Sequence, residues 1–383
     1  MLVTLKQSLD FNELYSLLKS VFDLKENERA LTFLIDLPDG KLPDNAEWED
    51  RRRIAFEWYN TLSNNKRQLP FTAIMLCTYG NVHTNNNDLP VEVTVAAIAS
   101  DSNSWVPGTL IPLESVLKAT SIVLAPTQLS ATAPLKNIAR QLGFRGATLP
   151  GFSRKMIPAL LLDYERVNAR VMDFKSRLDR ATSAKITFRV EGQEYTLNLD
   201  LRYRSAHASG GLMRENGTVA NLPSGEAYIV PYEGERLGDP SQTSGLLPVQ
   251  FGNEIVVYSL KENRATDVIS SGKTSDEERA KLGEEPAYGN MAELGLGVLG
   301  EWGVTAAGSI LIDEKLGLHI AFGRSEHFGG MTGPSAFRNQ ANVIHIDRVY
   351  VPSMQPLVSV EEVELSYSDG VRESIMKSGK YIV

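Results

Sequence analysis

SIVLAPTQLSATAPLKNIARQLGFRGATLP, residues 121–150, decides the class of the amino-terminal half. SIVLAP is an apolar run of strand length, PLKNIARQLGF carries a helical pattern, and RGATLP reads as a second short strand. Strand, helix and strand in succession belong to a layered α/β domain, since a crossover helix is what returns the chain beside a parallel neighbour. Toward the amino terminus the alternation continues. ALTFLIDL (30–37) and FTAIMLCTYG (71–80) are buried-strand candidates, and the charged helix AEWEDRRRIAFEWYNTL lies between them. Phe11, Leu14, Leu17, Leu18, Val21 and Phe22 recur at helical spacing, with Ser8 or Asp10 as the cap. Toward the carboxyl side, Met156 to about Ala181 reads as one extended helix.

From Lys185 the texture changes. KITFRV, EYTLNLDL, NEIVVYSL, ATDVIS, SILID, LHIAF, NVIHIDRVYV and VEEVELSYS are short strand candidates, separated by the turn signals EGQ, KEN and SDG. TSDEERAKLG is the clearest helix among them. The expectation is an α/β domain with a mostly parallel sheet over residues 1–184, followed by a β-rich α+β domain over residues 185–383.

The chain has 383 residues, 42% of them hydrophobic and 22% charged, which suits a folded protein with a full core. A net charge of −8 argues against nucleic acid or an anionic membrane as the partner, because both repel such a surface. MLVTLKQSLDFNEL lacks the basic start and unbroken apolar core of a signal peptide, and no stretch has the roughly 18 apolar residues of a membrane span. Cys77 is the single cysteine, so neither a disulfide framework nor a cysteine-rich zinc site is available. A cytoplasmic location and a peptide or small-molecule substrate are expected.

The chemistry concentrates in the second half. Three of the five histidines, His319, His327 and His345, fall there close together. In VIHIDRV (343–349), alternation places His345 and Asp347 on one face and Ile344, Ile346 and Arg348 on the other. In LHIAFG, His319 opposes the face of Leu318 and Ile320. Two imidazoles and a carboxylate suit zinc, cobalt, manganese or iron(II). His-x-Asp pairs also arise by chance as plain surface contacts, so the acidic residues matter. Glu226 follows a Pro-Ser-Gly turn at the start of an apolar strand. Glu293 stands alone in the glycine-rich stretch GNMAELGLGVLG, where burying a carboxylate demands a partner. Gly295-x-Gly297-x-x-Gly300 fits the dinucleotide fingerprint in letters only: it follows no clear strand, opens no helix, and lacks the later ribose-binding acid.

LPSGE, the glutamate of GNMAELGLG, IDEKLGLHIAFG, the following GG, and the HID of VIHID resemble, in order, the motifs of the M29 metalloaminopeptidases, the aminopeptidase T and S group. The resemblance covers about residues 185–383; ATLPGFSRKMIPALLLDYERV also resembles that family's interdomain join. It implies two divalent metals (zinc, cobalt or manganese) held by Glu226, Glu293, His319, His345 and Asp347, with Glu293 as the bridge and Glu226 as a terminal ligand or proton shuttle. A hydroxide held between the metals then releases amino-terminal residues from peptides. It also implies a homodimer. The family's tyrosine, seven positions after its first ligand histidine, is absent; Glu326 stands there, followed by His327, and either could take its place. The alternative reading is a non-haem iron(II) ring-cleaving dioxygenase acting on a small aromatic diol through His319, His345 and Asp347, since a dihydroxypyridine dioxygenase is similar to this family.

Overall fold

The structure is a computed structural model that describes residues 6–98 and 105–383. The chain divides into two compact units, Met1–Asn168 with Gly211–Ser224, and Ala169–Gly210 with Gly225–Val383. The expected division after residue 184 lies within the strand Ala181–Val190, and the return of residues 211–224 to the first unit leaves no mark in a linear reading.

In the first unit the strands β1 (Ala30–Leu37), β2 (Ile74–Gly80), β3 (Glu92–Ile98), β4 (Trp105–Pro112), β5 (Thr120–Ala125) and β6 (Arg145–Thr148) are joined by a later strand, β10 (Val219–Asn221). Their order is β10-β6-β5-β1-β2-β3-β4. The pairings from β10 to β2 are parallel, and β3 and β4 extend the sheet antiparallel. The helix Thr132–Leu142 makes the β5–β6 crossover and ends at Gly143 in the left-handed conformation, as a glycine cap permits. Leu34, Cys77, Val123, Leu135, Ala139 and Phe144 form part of the core. At the first helix, Phe11–Phe22, Asp10 is the cap and exchanges a capping box with Glu13.

The sequence reading lacks β3 and β4. Val93 and Val95 alternate with polar neighbours, a period-2 signal that a search for continuous apolar runs passes over. A second expectation is corrected: residues 156–181 are not one helix. A short helix, Ile157–Leu160, stops at a turn, and Tyr164–Arg180 starts afresh. The Asp163 carboxylate accepts from the amides of Glu165 and Arg166 at 3.1 and 3.3 Å, capping the second helix where continuation of the first was expected.

The second unit is antiparallel throughout. Strands β7 (Ala181–Val190), β8 (Gln193–Asp200), β12 (Ser244–Phe251), β13 (Glu254–Lys261), β14 (Arg264–Val268), β18 (Ser359–Tyr367), β19 (Arg372–Lys377) and β20 (Lys380–Tyr381) build an eight-stranded sheet. Strands β9 (His207–Ser209), β11 (Glu226–Ile229), β15 (Met291–Gly297), β16 (Leu318–Gly323) and β17 (His345–Val349) build a five-stranded one, ordered β17-β16-β15-β11-β9. SILID is not a strand: Ile310–Asp313 is a helical turn, tied by the Asp313 carboxylate to the amides of Ala307 and Gly308. Among the described residues, no helix is long and apolar enough to cross a membrane.

The five-stranded sheet positions the chemistry. Registers such as Leu294↔Ile320 and Ala227↔Leu296 put Ala227, Ile229, Leu294, Leu296, Leu318, Ile320 and Phe322 on one face, all buried. The alternate positions, Glu226, Tyr228, Glu293, His319, His345 and Asp347, share the other. One face is largely hydrocarbon; its reverse carries the carboxylates and imidazoles that could hold a metal.

Candidate metal centre

Glu226 opens β11, Glu293 lies within β15, His319 is the second residue of β16, and β17 supplies His345 and Asp347. Glycine makes room for them. Gly295 pairs with His319, and a Cβ on Gly295 would lie 1.9 Å from His319 Nε2. A Cβ on Gly297 would lie 2.3 Å from the Lys315 carbonyl carbon. The glycine repeat that mimics a nucleotide fingerprint is therefore clearance for an imidazole and for the backbone before β16.

The ligand atoms form two groups, Glu226–Glu293–His319 and Glu293–His345–Asp347, each with its atoms within 4.8 Å of one another. Glu293 is common to both. Its Oε1 lies 3.2 Å from His319 Nε2, and its Oε2 lies 3.3 Å from His345 Nε2. Glu226 Oε2 is 3.6 Å from His319 Nε2, and Asp347 Oδ1 is 3.6 Å from His345 Nε2. Each ring is oriented from behind. His319 Nδ1 faces the Gly317 carbonyl at 3.3 Å, and His345 Nδ1 faces the Arg324 carbonyl at 2.8 Å. A carbonyl only accepts, so the protons belong on Nδ1 and both Nε2 atoms are left for a cation. Oxygen and imidazole donors, backed in this way and sharing one carboxylate, could hold divalent cations.

Burial opposes charge on these groups, and their mutual contacts overcome it. Against burial, hydrogen bonds from His319 and His345 hold the Glu293 carboxyl at about 2. Burial depresses both imidazoles too, yet Glu293 lifts His319 to about 10, and Asp347 with Glu293 lifts His345 to about 11. A cation entering at neutral pH must expel those protons. Metal affinity is expected to rise with pH, with about two protons released per chain filled, measured by calorimetry in buffers of different ionisation heat. The raised imidazoles stabilise the metal-free fold fully below their unfolded pKa of about 6.5, and that contribution is lost as pH rises through 10 and 11. Glu293, depressed, contributes above 4.5 and loses its share as pH falls through 2. Melting of chelator-treated protein is therefore expected to fall between pH 6 and pH 10.

The five residues placed by resemblance thus meet on one face. Glu326 and His327 enter neither ligand group. The Arg324 guanidinium holds both Glu326 oxygens at 2.6 Å. His327 packs edge-on to His345 with ring centroids 5.2 Å apart, and burial drops its pKa to about 4.

Three further residues escaped the sequence reading. Lys315, 1% exposed, sets its ammonium 3.3 Å from Glu226 Oε1 and pairs with Glu314. Burial, with the charges of Glu226 and Asp347, lifts Glu314 to about 8 against the pull of Lys315. Tyr228, on the ligand face between Glu226 and the apolar end of β11, stacks on His207 at 5.1 Å and meets Phe328 edge-on at 4.8 Å. Its position two residues after Glu226 was the available signal; for Glu314 and Lys315 it was their adjacency, an acid beside a base.

No family model matches the chain, and no curated protein matches it. Solved structures do. The 2,5-dihydroxypyridine dioxygenase from Pseudomonas putida KT2440 aligns over 98% of both chains with a TM-score of 0.57 and 14% identity. Wild-type AmpT from Thermus thermophilus aligns over 97% of this chain and 99% of its own, with a TM-score of 0.55 and 14% identity. These likenesses establish a shared fold.

Proposed function

We propose that this chain is a metal-dependent aminopeptidase using two divalent ions. The observation that carries the reading is the sharing of Glu293, one carboxylate oxygen turned to each half of the site. The motifs resembling the aminopeptidase T group, and the fold in common with AmpT, support it. Two ions at this site supply a hydroxide at neutral pH and polarise a substrate carbonyl.

The chain's own residues do the rest. Glu293 holds the two halves at a fixed separation, and the carbonyls of Gly317 and Arg324 keep both Nε2 atoms inward. Lys315 braces one oxygen of Glu226 and leaves the other toward His319. Glu314, its carboxyl pushed up to about 8 by burial and by the charges of Glu226 and Asp347, is the candidate donor of a proton to the departing amine as the C–N bond breaks. Several carboxylates on one buried face attract the ammonium of a peptide's amino terminus, which accounts for cleavage at the first bond. Phe328, His327 and Tyr228 offer an aromatic flank to the first side chain.

The dioxygenase reading draws on the equally similar structure of the Pseudomonas putida enzyme. Against it, His319 and the His345–Asp347 pair belong to separate groups joined by Glu293, and a mononuclear iron site has no use for that glutamate. The test is metal content and substrate together. Protein purified without tag or chelator is expected to carry about two ions of zinc, cobalt or manganese per chain. It should cleave a leucyl peptide with a free amino terminus and leave the N-acetylated form intact. One iron per chain, with oxygen uptake on an aromatic diol, refutes the proposal.

A further inference from the structure

The loop over residues 325–332 follows β16 and carries His327 and Phe328. The half-buried Phe328 ring lies 5.5 Å from the ring of His345 on β17 and 4.8 Å from that of Tyr228 on β11. β16 and β15 stand between those two strands, so this one side chain meets rings from both flanks of the ligand face. From β9, the His207 imidazole donates through Nε2 to the Phe328 carbonyl at 2.8 Å, since a carbonyl only accepts.

The loop is closed at its base. The Ser325 amide donates to the Thr332 carbonyl at 2.9 Å, and the Thr332 amide donates to Ser325 Oγ at 3.2 Å. The hydroxyl keeps a single proton, and Glu233 Oε1 takes it at 2.7 Å. The same oxygen accepts from Asn290 Nδ2 at 2.6 Å, and Oε2 accepts from the Met331 amide. The Asn290 amide is oriented in turn by Asn263, which donates to its Oδ1 at 3.1 Å. The Glu233 side chain is only 7% exposed, with the Arg204 guanidinium 3.6 Å from Oε2. Every neighbour is a donor, so both ends of this side chain must accept, as a carboxylate does and a carboxamide cannot. Glu233 thereby ties both arms of the loop to Asn290, three residues before Glu293.

We propose that Glu233 is a positioning residue, which holds Phe328 and His327 as a wall for an aromatic side chain on the substrate's first residue. That the ring belongs to an amino-terminal residue rests on the aminopeptidase reading. Ring edges and faces already grouped at 4–6 Å offer an incoming ring the offset and edge-on contacts that aromatic pairs prefer. A wall fixed in advance spares the ligand the cost of ordering it.

The test is calorimetric titration of L-phenylalaninol and L-alaninol, amines without a peptide bond to cleave, into full-length protein supplied with zinc. Wild type is expected to bind phenylalaninol at least ~10-fold more tightly than alaninol. In Glu233→Gln, in Ser325→Ala, which takes away the hydroxyl between Glu233 and Thr332, and in Phe328→Ala, that preference is expected to shrink to ~3-fold or less. Alaninol affinity and zinc content should stay as in wild type, because Glu233 enters neither ligand group. Hydrogen exchange at the amides of Met331 and Thr332 should quicken in Glu233→Gln and Ser325→Ala but not in Phe328→Ala, which separates the pin from the wall. Ser325→Ala keeps the test decisive if Glu233→Gln does not fold. An undiminished preference in the pin variants overturns the proposal, as does equal weakening of both amines, or no preference in wild type. A preference lost in the variants of a protein that cleaves no peptide upholds the wall and removes only the aminopeptidase reading. Cleavage of peptides by a protein whose preference ignores Glu233 removes only the wall.

Discussion

Glu293→Ala is expected to empty both halves of the centre at once and to lower peptide hydrolysis by on the order of 10³-fold or more. Loss of one preorganised electrostatic contact already costs about 10²–10³-fold in other active sites. Here the substitution takes a donor from each group, because Glu293 belongs to both. It also leaves the His319 imidazole without its principal counter-charge and His345 with Asp347 alone. His345→Ala differs in kind. It removes a donor from the Asp347 half and leaves Glu226, Glu293 and His319 together. Metal analysis of the two variants, purified in parallel, checks the distinction: close to no bound ion for Glu293→Ala, and a partial content for His345→Ala. Two ions retained in Glu293→Ala, with hydrolysis intact, would falsify the bridging assignment.

Gly295→Ala is the second large effect, and it involves no ligand. The new methyl would be 1.9 Å from His319 Nε2 and 2.1 Å from Cε1 of the same ring. A buried ring cannot absorb that overlap by a small adjustment, and the imidazole must swing away from Glu293 and Glu226. Disturbing groups that only orient a metal ligand commonly costs 10–100-fold in metal affinity, and at least about that loss is expected here. Titration against a competing chelator measures it. Gly297→Ala serves as the contrast, since its methyl strikes the Lys315 backbone and not a ring, at 2.3 Å. Its main cost is expected in the melting temperature, from about 1–3 kcal/mol of overpacking.

These glycines also explain where the sequence was opaque. Strand–helix alternation in residues 30–150 and the short β runs after residue 185 announced the two classes of sheet, because apolar periodicity is a local property. GNMAELGLG did not announce a strand, since glycine is poor in strands, yet as β15 it lies in the middle of the five-stranded sheet. Its glycines answer to an imidazole and a backbone segment that meet it only in three dimensions. His345 and Asp347 were legible from their spacing, and Glu226 and Glu293 from their isolation among apolar neighbours. Glu314 and Lys315 were hidden in an ordinary charged tripeptide, because burial, not composition, gives them their character. Glu326 is a different case: it stands at the position of the family's tyrosine, and its carboxylate is held by Arg324, two residues earlier.

The five donors span residues 226 to 347 and stitch four of the five strands of one small sheet. On the proposed reading, filling the centre would act as a clasp on that sheet. By mass action, free ion at a thousand times its dissociation constant would add about 4 kcal/mol to the resistance of that sheet against unfolding. On the proposed two-metal reading, cellular ion supply would govern how long the polypeptide survives proteolysis as well as how fast it turns over substrate, and scarcity would withdraw both together.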